Sequence, residues 1–523
     1  MTRAAIFGWG VVAPQSATVD EFSRRLADAT SWLSPFNGFG PDNFLVGQPK
    51  FDFADYRPWI EERFAPGRYR QLVDKMDVTT LFGVGAFIQA LGQNPGIEGE
   101  LQKLRQEAHV YVATALGAFP TFYETSIRHH RSQRRWNRFW AEPARNSKHT
   151  AFLETGSPAL PSDVKRPQEA ADIDERELFE DAYNAYFAAQ SEELQTFLAE
   201  LRSIESIRVE GAVESAKLSV IREKRRRLAQ LVEKWGAPEP PWGEVSSNVL
   251  WNIANTPASQ ISMLGKITGL AFAPVAACST FSVTLKLALD TIARGEAKMV
   301  VIGAADPPPH PITVGAFYNA RVLSADREVS KPLSGLKGTH VAGGAAIWIV
   351  GDLEYGLSRG FKPLGMEPVS VGVSADADHI ITPSKEGPRC AMLSALQSAG
   401  VSPAEIGSWD LHATATPGDF MEVENLQSVL PRNVLVTARK GTFGHGMGVG
   451  GGWELTAQYL GYDQGRLHPT TLTPSELNET IATMGQAFVY DQAVPFPRQA
   501  VGKLSMGVGG INACVVSRPW RST

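Results

Sequence analysis

The chain has 523 residues, 43% of them hydrophobic, with 50 Lys and Arg against 55 Asp and Glu for a net charge of −5. That is the composition of an ordinary soluble globular protein, long enough for two to four domains, and its charge makes no case for nucleic acid. Three cysteines, Cys278, Cys390 and Cys514, argue for a reducing compartment and against a disulfide framework, and no charged stretch followed by an apolar one stands behind Met1, so a cytoplasmic protein is expected.

Residues 4–12 read as a short apolar strand closed by Pro14, and 19–26 as a helix with Asp20 and Glu21 in its first turn. Helical spacing of apolar residues marks 77–91, and 110–115 reads as a buried strand. From about 120 to 245 the character changes. Arg128, Arg131, Arg134, Arg135 and Arg138 cluster with His129, His130 and Trp136, a proline-rich stretch covers 158–167, and two helix-favouring segments follow at 172–207 and 213–235. The stretch is too long for a structureless loop, so two antiparallel helices are expected in it. Its arginines are either a solvated charged face or a cationic patch that steers an acidic partner.

An uncharged run, 267–285, is long enough to raise a membrane helix, but Gly269, Pro274 and scattered Ser and Thr interrupt it. A buried strand at 270–276, a turn at Cys278 and a buried helix at 282–294 fit better. At such a turn the helix macrodipole and free backbone N–H groups favour a thiolate, the condition for a nucleophilic cysteine. The next strand, 299–303, is apolar throughout, as a strand covered on both faces should be. Further strands are expected at 341–350, 365–373, 408–412, 434–437 and 503–505, helices at 387–399, 419–430 and 453–460, and a short polar joint at 358–362. Alternating βα units predict a parallel-rich layered α/β fold.

Two later stretches carry histidines: Asp410-Leu411-His412-Ala413-Thr414-Ala415-Thr416-Pro417, and Lys440-Gly441-Thr442-Phe443-Gly444-His445 with glycines through Gly452. Gly446 to Gly451 matches a dinucleotide-binding glycine pattern, but no acidic residue follows at the end of a second strand, and no Lys-Ser or Lys-Thr follows for a phosphate loop. No paired ligand spacing supports a metal. With Cys278 ahead of them and Val508-Gly509-Gly510-Ile511-Asn512 behind, the order resembles the β-ketoacyl synthases of the carrier-protein-dependent elongating type. The resemblance covers about 2–117 and 251–516.

That resemblance implies a thiolase-like layered αβαβα fold of two βα halves, 1–359 and 360–523, with a mainly helical insertion at about 120–245. It implies Cys278 as acyl acceptor, His412 and His445 as donors to an enolate oxygen, Lys440 holding the histidine pair and Glu454 positioning Lys440. Backbone N–H groups of Cys278 and Val508 would form the oxyanion hole, and Thr414 and Thr416 would contact pantetheine. No cofactor is expected, since the substrates ride on the phosphopantetheine of an acyl carrier protein. The partner subunit would be identical or a related ketosynthase subunit, with no nucleic acid and no membrane. The rivals are a cysteine-dependent acyltransferase of the same fold and a non-condensing partner subunit. Val508 stands where the family has Phe, Ile511 where it has Thr, Ala413 where it has Gly, and Ala342 to Ala346 lacks an acidic residue. These departures bear on gating and acyl selectivity.

Overall fold

The computed structural model describes residues 2–520 apart from 41–42, 158, 209–213, 379 and 381–383. Pro158 and Val213, at the starts of two stretches named above, lie outside the described residues. Two compact units form, Met1–Pro120 with Leu250–Thr523, and Thr121–Val249.

In chain order the first part of the larger unit holds β1 (Ala4–Val12), α1 (Val19–Arg25), α2 (Val78–Leu91) and β2 (Ala108–Ala113). The smaller unit follows with α3 (Phe119–Ala141, which begins just before it), α4 (Ser147–Thr155), α5 (Ile173–Ala189), α6 (Glu192–Glu205) and α7 (Glu214–Trp235). Then come α8 (Thr256–Gly265), β3 (Ala271–Phe272), α9 (Thr280–Ala293), β4 (Met299–Asp306) and β5 (Gly344–Asp352). The last part holds β6 (Glu367–Ala375), α10 (Glu386–Ala399), β7 (Ile406–Asp410), α11 (Gly418–Val429), β8 (Leu435–Thr437), α12 (Gly450–Asp463), β9 (Ala500–Gly507) and β10 (Ile511–Arg518).

The two main sheets have one topology. Their orders are β1-β5-β4-β2-β3 and β6-β10-β9-β7-β8, which is first, fifth, fourth, second, third strand of each half. Pairings match as well: the first two contacts in each list are antiparallel and the last two parallel. The duplication that the sequence does not display is therefore present in the connectivity. The sheets are mixed and not parallel-rich, because the fifth strand of each half, including the unanticipated β10, enters antiparallel between the first and fourth.

Alternation along the strands sets the layers. On β4, Met299, Val301 and Ala305 pack outward with Leu81, Phe87 and Ile261 of α2 and α8, while Val300, Ile302 and Ala304 face inward. Inside, Phe281 and Leu285 of α9 meet Trp453 and Tyr459 of α12, between Trp348 of β5 and Val515 of β10. On the far side, Cys514 and Val516 of β10 pack on Ala391, Met392 and Leu426 of α10 and α11. Period-2 strands feeding two different cores produce five layers, αβαβα.

Three local expectations change. The strand at 270–276 shrinks to Ala271–Phe272, because Pro274 has no amide to extend the ladder. The polar joint at 358–362 is partly the end of a helix, Leu353–Ser358, and Phe361 is buried. Among its described residues the smaller unit has five α-helices of nine residues or more and not two: the segment 172–207 breaks at Gln190, where Ser191 caps the N-terminus of α6 by accepting the Leu194 N–H at 3.1 Å. Trp136 and Trp140 of α3 pack there on Phe197 and Leu201 of α6 and Leu231 of α7. The arginines of α3 are mostly neutralised within this unit. Arg134 lies 2.6 Å from Asp181 and Arg138 2.9 Å from Glu180, while Arg128 and Arg135 approach Glu124 and Glu244 at 3.6 Å. Paired charges of this kind leave little net positive field to steer a partner.

Candidate active site

In both halves the loop after the third strand leads into an inner helix. In the first half that loop carries Cys278 ahead of α9, and in the second it carries Lys440 and His445 ahead of α12. The loop after β7, the second strand of its half, carries His412, Thr414 and Thr416 ahead of α11. All three loops lie at the carboxyl ends of parallel strands, where crevices form in open α/β sheets.

These loops meet at a cavity of about 130 Å3, lined by Cys278, His412, Thr414, Thr416, His445 and Val508, together with Phe317, Val322 and Met506. The two imidazoles are 5.3 Å apart between ring centroids and nearly perpendicular, at 82°. The hydroxyls of Thr414 and Thr416 are hydrogen-bonded at 2.9 Å. Val508, where Phe is usual, borders the cavity and is 51% exposed. Cys278 follows Ala277, whose φ of 48° lies in the left-handed region that L-residues avoid. Gly507 permits this turn, since a Cβ there would come within 2.9 Å of the Ala276 carbonyl and 3.3 Å of the Cys278 nitrogen.

Lys440 and Glu454 sit behind the cavity wall. Lys440 Nζ donates to Glu454 Oε1 at 2.8 Å and to the carbonyl of His412. Burial opposes ionisation of Glu454, but Lys440 and Lys503 hold its carboxyl below the usual range. Burial and then Lys440 push both His412 and His445 well below the ordinary imidazole value, so both rings are neutral at physiological pH. Nδ1 of His445 has no hydrogen-bond partner among the described residues.

One expectation about Cys278 is overturned. Burial pushes its thiol up to about 11, outweighing the opposing pull of Lys440 and of the Val508 and Cys278 amides. Desolvation of the thiolate beats the helix terminus because the sulfur is buried. In a Cys390→Ser background, which removes the exposed thiol, iodoacetamide alkylation of Cys278 should rise about tenfold per pH unit from about pH 7 to about pH 9, since only the thiolate reacts. A plateau below about pH 8 would show a pre-formed thiolate.

Several residues outside the motifs hold the site. Glu422 accepts the amides of His412 and Ala413 at 2.6 and 2.7 Å, and Asp419 those of Thr414 and Ala415 at 2.9 and 3.1 Å. Asp306 accepts the amides of Ala115, Leu116 and Gly448 at 2.8, 3.0 and 2.8 Å. The glycine pattern at 446–451 thus serves this turn: a Cβ on Gly448 would come within 3.0 Å of Asp306. Asp410, at the head of the His412 stretch, and Lys503 are buried beside them. Their one legible signal was a lone charged residue within an otherwise apolar strand. Among the described residues no group of three His, Cys, Asp or Glu is placed to hold a metal, and no helix is long and apolar enough to cross a membrane.

The chain matches the N-terminal domain of the β-ketoacyl synthases over residues 229–354 and their C-terminal domain over 367–473. It is 32% identical over 209 residues to a chloroplastic 3-oxoacyl-[acyl-carrier-protein] synthase I of Arabidopsis thaliana, covering 37% of this chain and 43% of that protein. The chain spans about half the length of the curated relatives it matches. A β-ketoacyl synthase structure from Burkholderia phymatum superposes over 100% of both chains with TM-score 0.68 at 18% identity. A type II polyketide ketosynthase structure, in complex with its acyl-carrier protein and bound to the hexaketide, covers 99% of this chain and 100% of that one, with TM-score 0.64 at 16% identity.

Proposed function

Because the chain belongs to the β-ketoacyl synthase family and has its thiolase-like fold, we propose that it is a 3-oxoacyl synthase performing decarboxylative Claisen condensation of an acyl thioester with a malonyl thioester. The observation that carries this reading is the pair of imidazoles lining one cavity with Cys278.

The Cys278 thiol attacks the acyl carbonyl as a neutral imidazole takes its proton. The amides of Cys278 and Val508 receive the tetrahedral oxyanion, and the pantetheine thiol leaves with the proton. A malonyl thioester then enters, its pantetheine arm against Thr414 and Thr416. Loss of CO2 leaves an enolate whose oxygen accepts hydrogen bonds from His412 and His445. The enolate carbon attacks the Cys278 thioester, forming the new C–C bond and expelling the sulfur, which regains a proton. Lys440 holds the His412 loop through its carbonyl and Glu454 holds Lys440.

The substrates we assign are acyl and malonyl groups on an acyl carrier protein, in fatty acid or polyketide-type synthesis. The halves 1–359 and 360–523 are read as the duplicated units. A dimer, homodimeric or with a related ketosynthase subunit, is supported by the β3 edge of its sheet. Leu270, next to it, Val275, three residues beyond it, and Met263 are each half exposed or more, an apolar edge that another chain's strand would cover. Three free thiols fit a cytoplasmic setting.

Incubation with acyl- and malonyl-carrier protein, followed by mass spectrometry, should reveal a 3-oxoacyl product two carbons longer with release of CO2. Acylation of Cys278 without that product would favour the acyltransferase, and neither event would favour the silent partner subunit.

A further inference from the structure

Asp410, Arg439 and Lys503 have no role in the steps above, yet each is at most 2% exposed. Strand register pairs Lys503 of β9 with Asp410 of β7, and Asp410 in turn with Thr437 of β8. Lys503 Nζ is 2.8 Å from Glu454 Oε2 and 3.4 Å from Asp410 Oδ1, and donates to the carbonyls of Leu504 and Leu411 at 2.6 and 3.1 Å. Asp410 accepts the Thr437 hydroxyl at 2.6 Å, with Arg439 Nε at 3.5 Å. Arg439, Asp410, Lys503, Glu454 and Lys440 thus form one buried chain of alternating charge.

Lys440 and Glu454 would already balance each other. Adding a second lysine to the same carboxylate is costly, since buried ion pairs rarely repay their desolvation in stability. Position is what the second lysine supplies. The consecutive carbonyls of Leu411 and His412 are held by Lys503 and Lys440, and the consecutive amides of His412 and Ala413 by the two oxygens of Glu422. The backbone that carries the His412 ring is gripped on both sides.

We propose that Lys503, anchored by Asp410 and Arg439, is a positioning residue for His412 that also adds a second cation behind the two imidazoles, tuning the site for decarboxylation more than for acyl transfer. This deepens the condensing-enzyme reading and rests on it. The charged and titratable groups around the rings are Lys440, Lys503 and Arg439, the carboxylates Asp410, Glu454, Glu422, Asp419 and Asp306, and the Cys278 thiol. After burial and Lys440, and for His412 also after His445, Lys503 contributes to keeping both rings unprotonated. Removing one cation makes an imidazole easier to protonate, so the neutral donor is lost at a higher pH than before.

The test uses the full chain as Lys503→Met, and as Lys503→Met with Asp410→Asn, which removes the carboxylate that Lys503 leaves unpaired on β7 while Glu454 keeps Lys440. Acylation of Cys278, CO2 release from malonyl-carrier protein across pH, and thermal melting are measured. Both variants should acylate within about threefold of wild type, release CO2 at least about tenfold more slowly, and show the acidic limb of CO2 release moved to higher pH. An unmoved limb, equal losses in both half-reactions, or recovery of decarboxylation in the double variant would overturn the proposal, the last by showing that Lys503 only neutralises Asp410. Variants that fail to melt cooperatively would overturn it in favour of a structural role. A wild-type protein that acylates but releases no CO2 would instead overturn the condensing-enzyme reading, and this inference with it.

Discussion

Replacing Cys278 by alanine should abolish the acyl-enzyme and all condensation, while malonyl-carrier protein still loses CO2. The sulfur is the only atom removed that bonds to substrate, whereas the enolate donors His412 and His445 stay in the same cavity. Cys278 borders that cavity, so the deletion enlarges an existing space and should cost no more than about 1 kcal/mol of stability. Intact-mass analysis after incubation with an acyl donor gives the first result and CO2 release the second. Cys514 is no substitute nucleophile, being buried on β10 with its thiol pushed strongly upward by desolvation. An acyl adduct that persists on another residue would remove Cys278 from its role.

The histidines should separate the half-reactions the other way. With either His412→Ala or His445→Ala, the ring that remains takes the thiol proton, and acylation of Cys278 continues. Decarboxylation should fall by about 100-fold or more, the usual consequence of deleting one donor to a developing oxyanion. Neither variant should lose its fold. His412 sits on backbone gripped by Glu422 and Lys440, so its loop survives loss of the ring, while His445 donates its own amide to the His340 carbonyl at 2.7 Å and keeps that bond as alanine. Both variants should therefore melt near wild type. Normal CO2 release by either one would give that histidine a different task.

The short motifs were legible in the sequence because each packs its chemistry into a few neighbouring residues. Cys278 in its turn, His412 with Thr414 and Thr416, and Lys440 with His445 needed only local spacing to be found, and Glu454 followed from its place after the glycines. Strand and helix positions came through for the same reason: apolar runs and their length are local properties, and β4, buried at every position, and α2, buried at nearly every one, are apolar along most of their length. What connects distant residues was decided by the tertiary structure. The shared strand order of the two halves emerges only from pairing, since βα units with unrelated residues can build the same sheet. Whether Cys278 is a thiol or a thiolate depends on how completely the rest of the chain excludes water from it, and desolvation overrode the helix terminus that local reading had favoured. Lys503 and Asp410, 93 positions apart, are charged residues that apolar strands should reject, and only strand register places them against each other and behind the histidines.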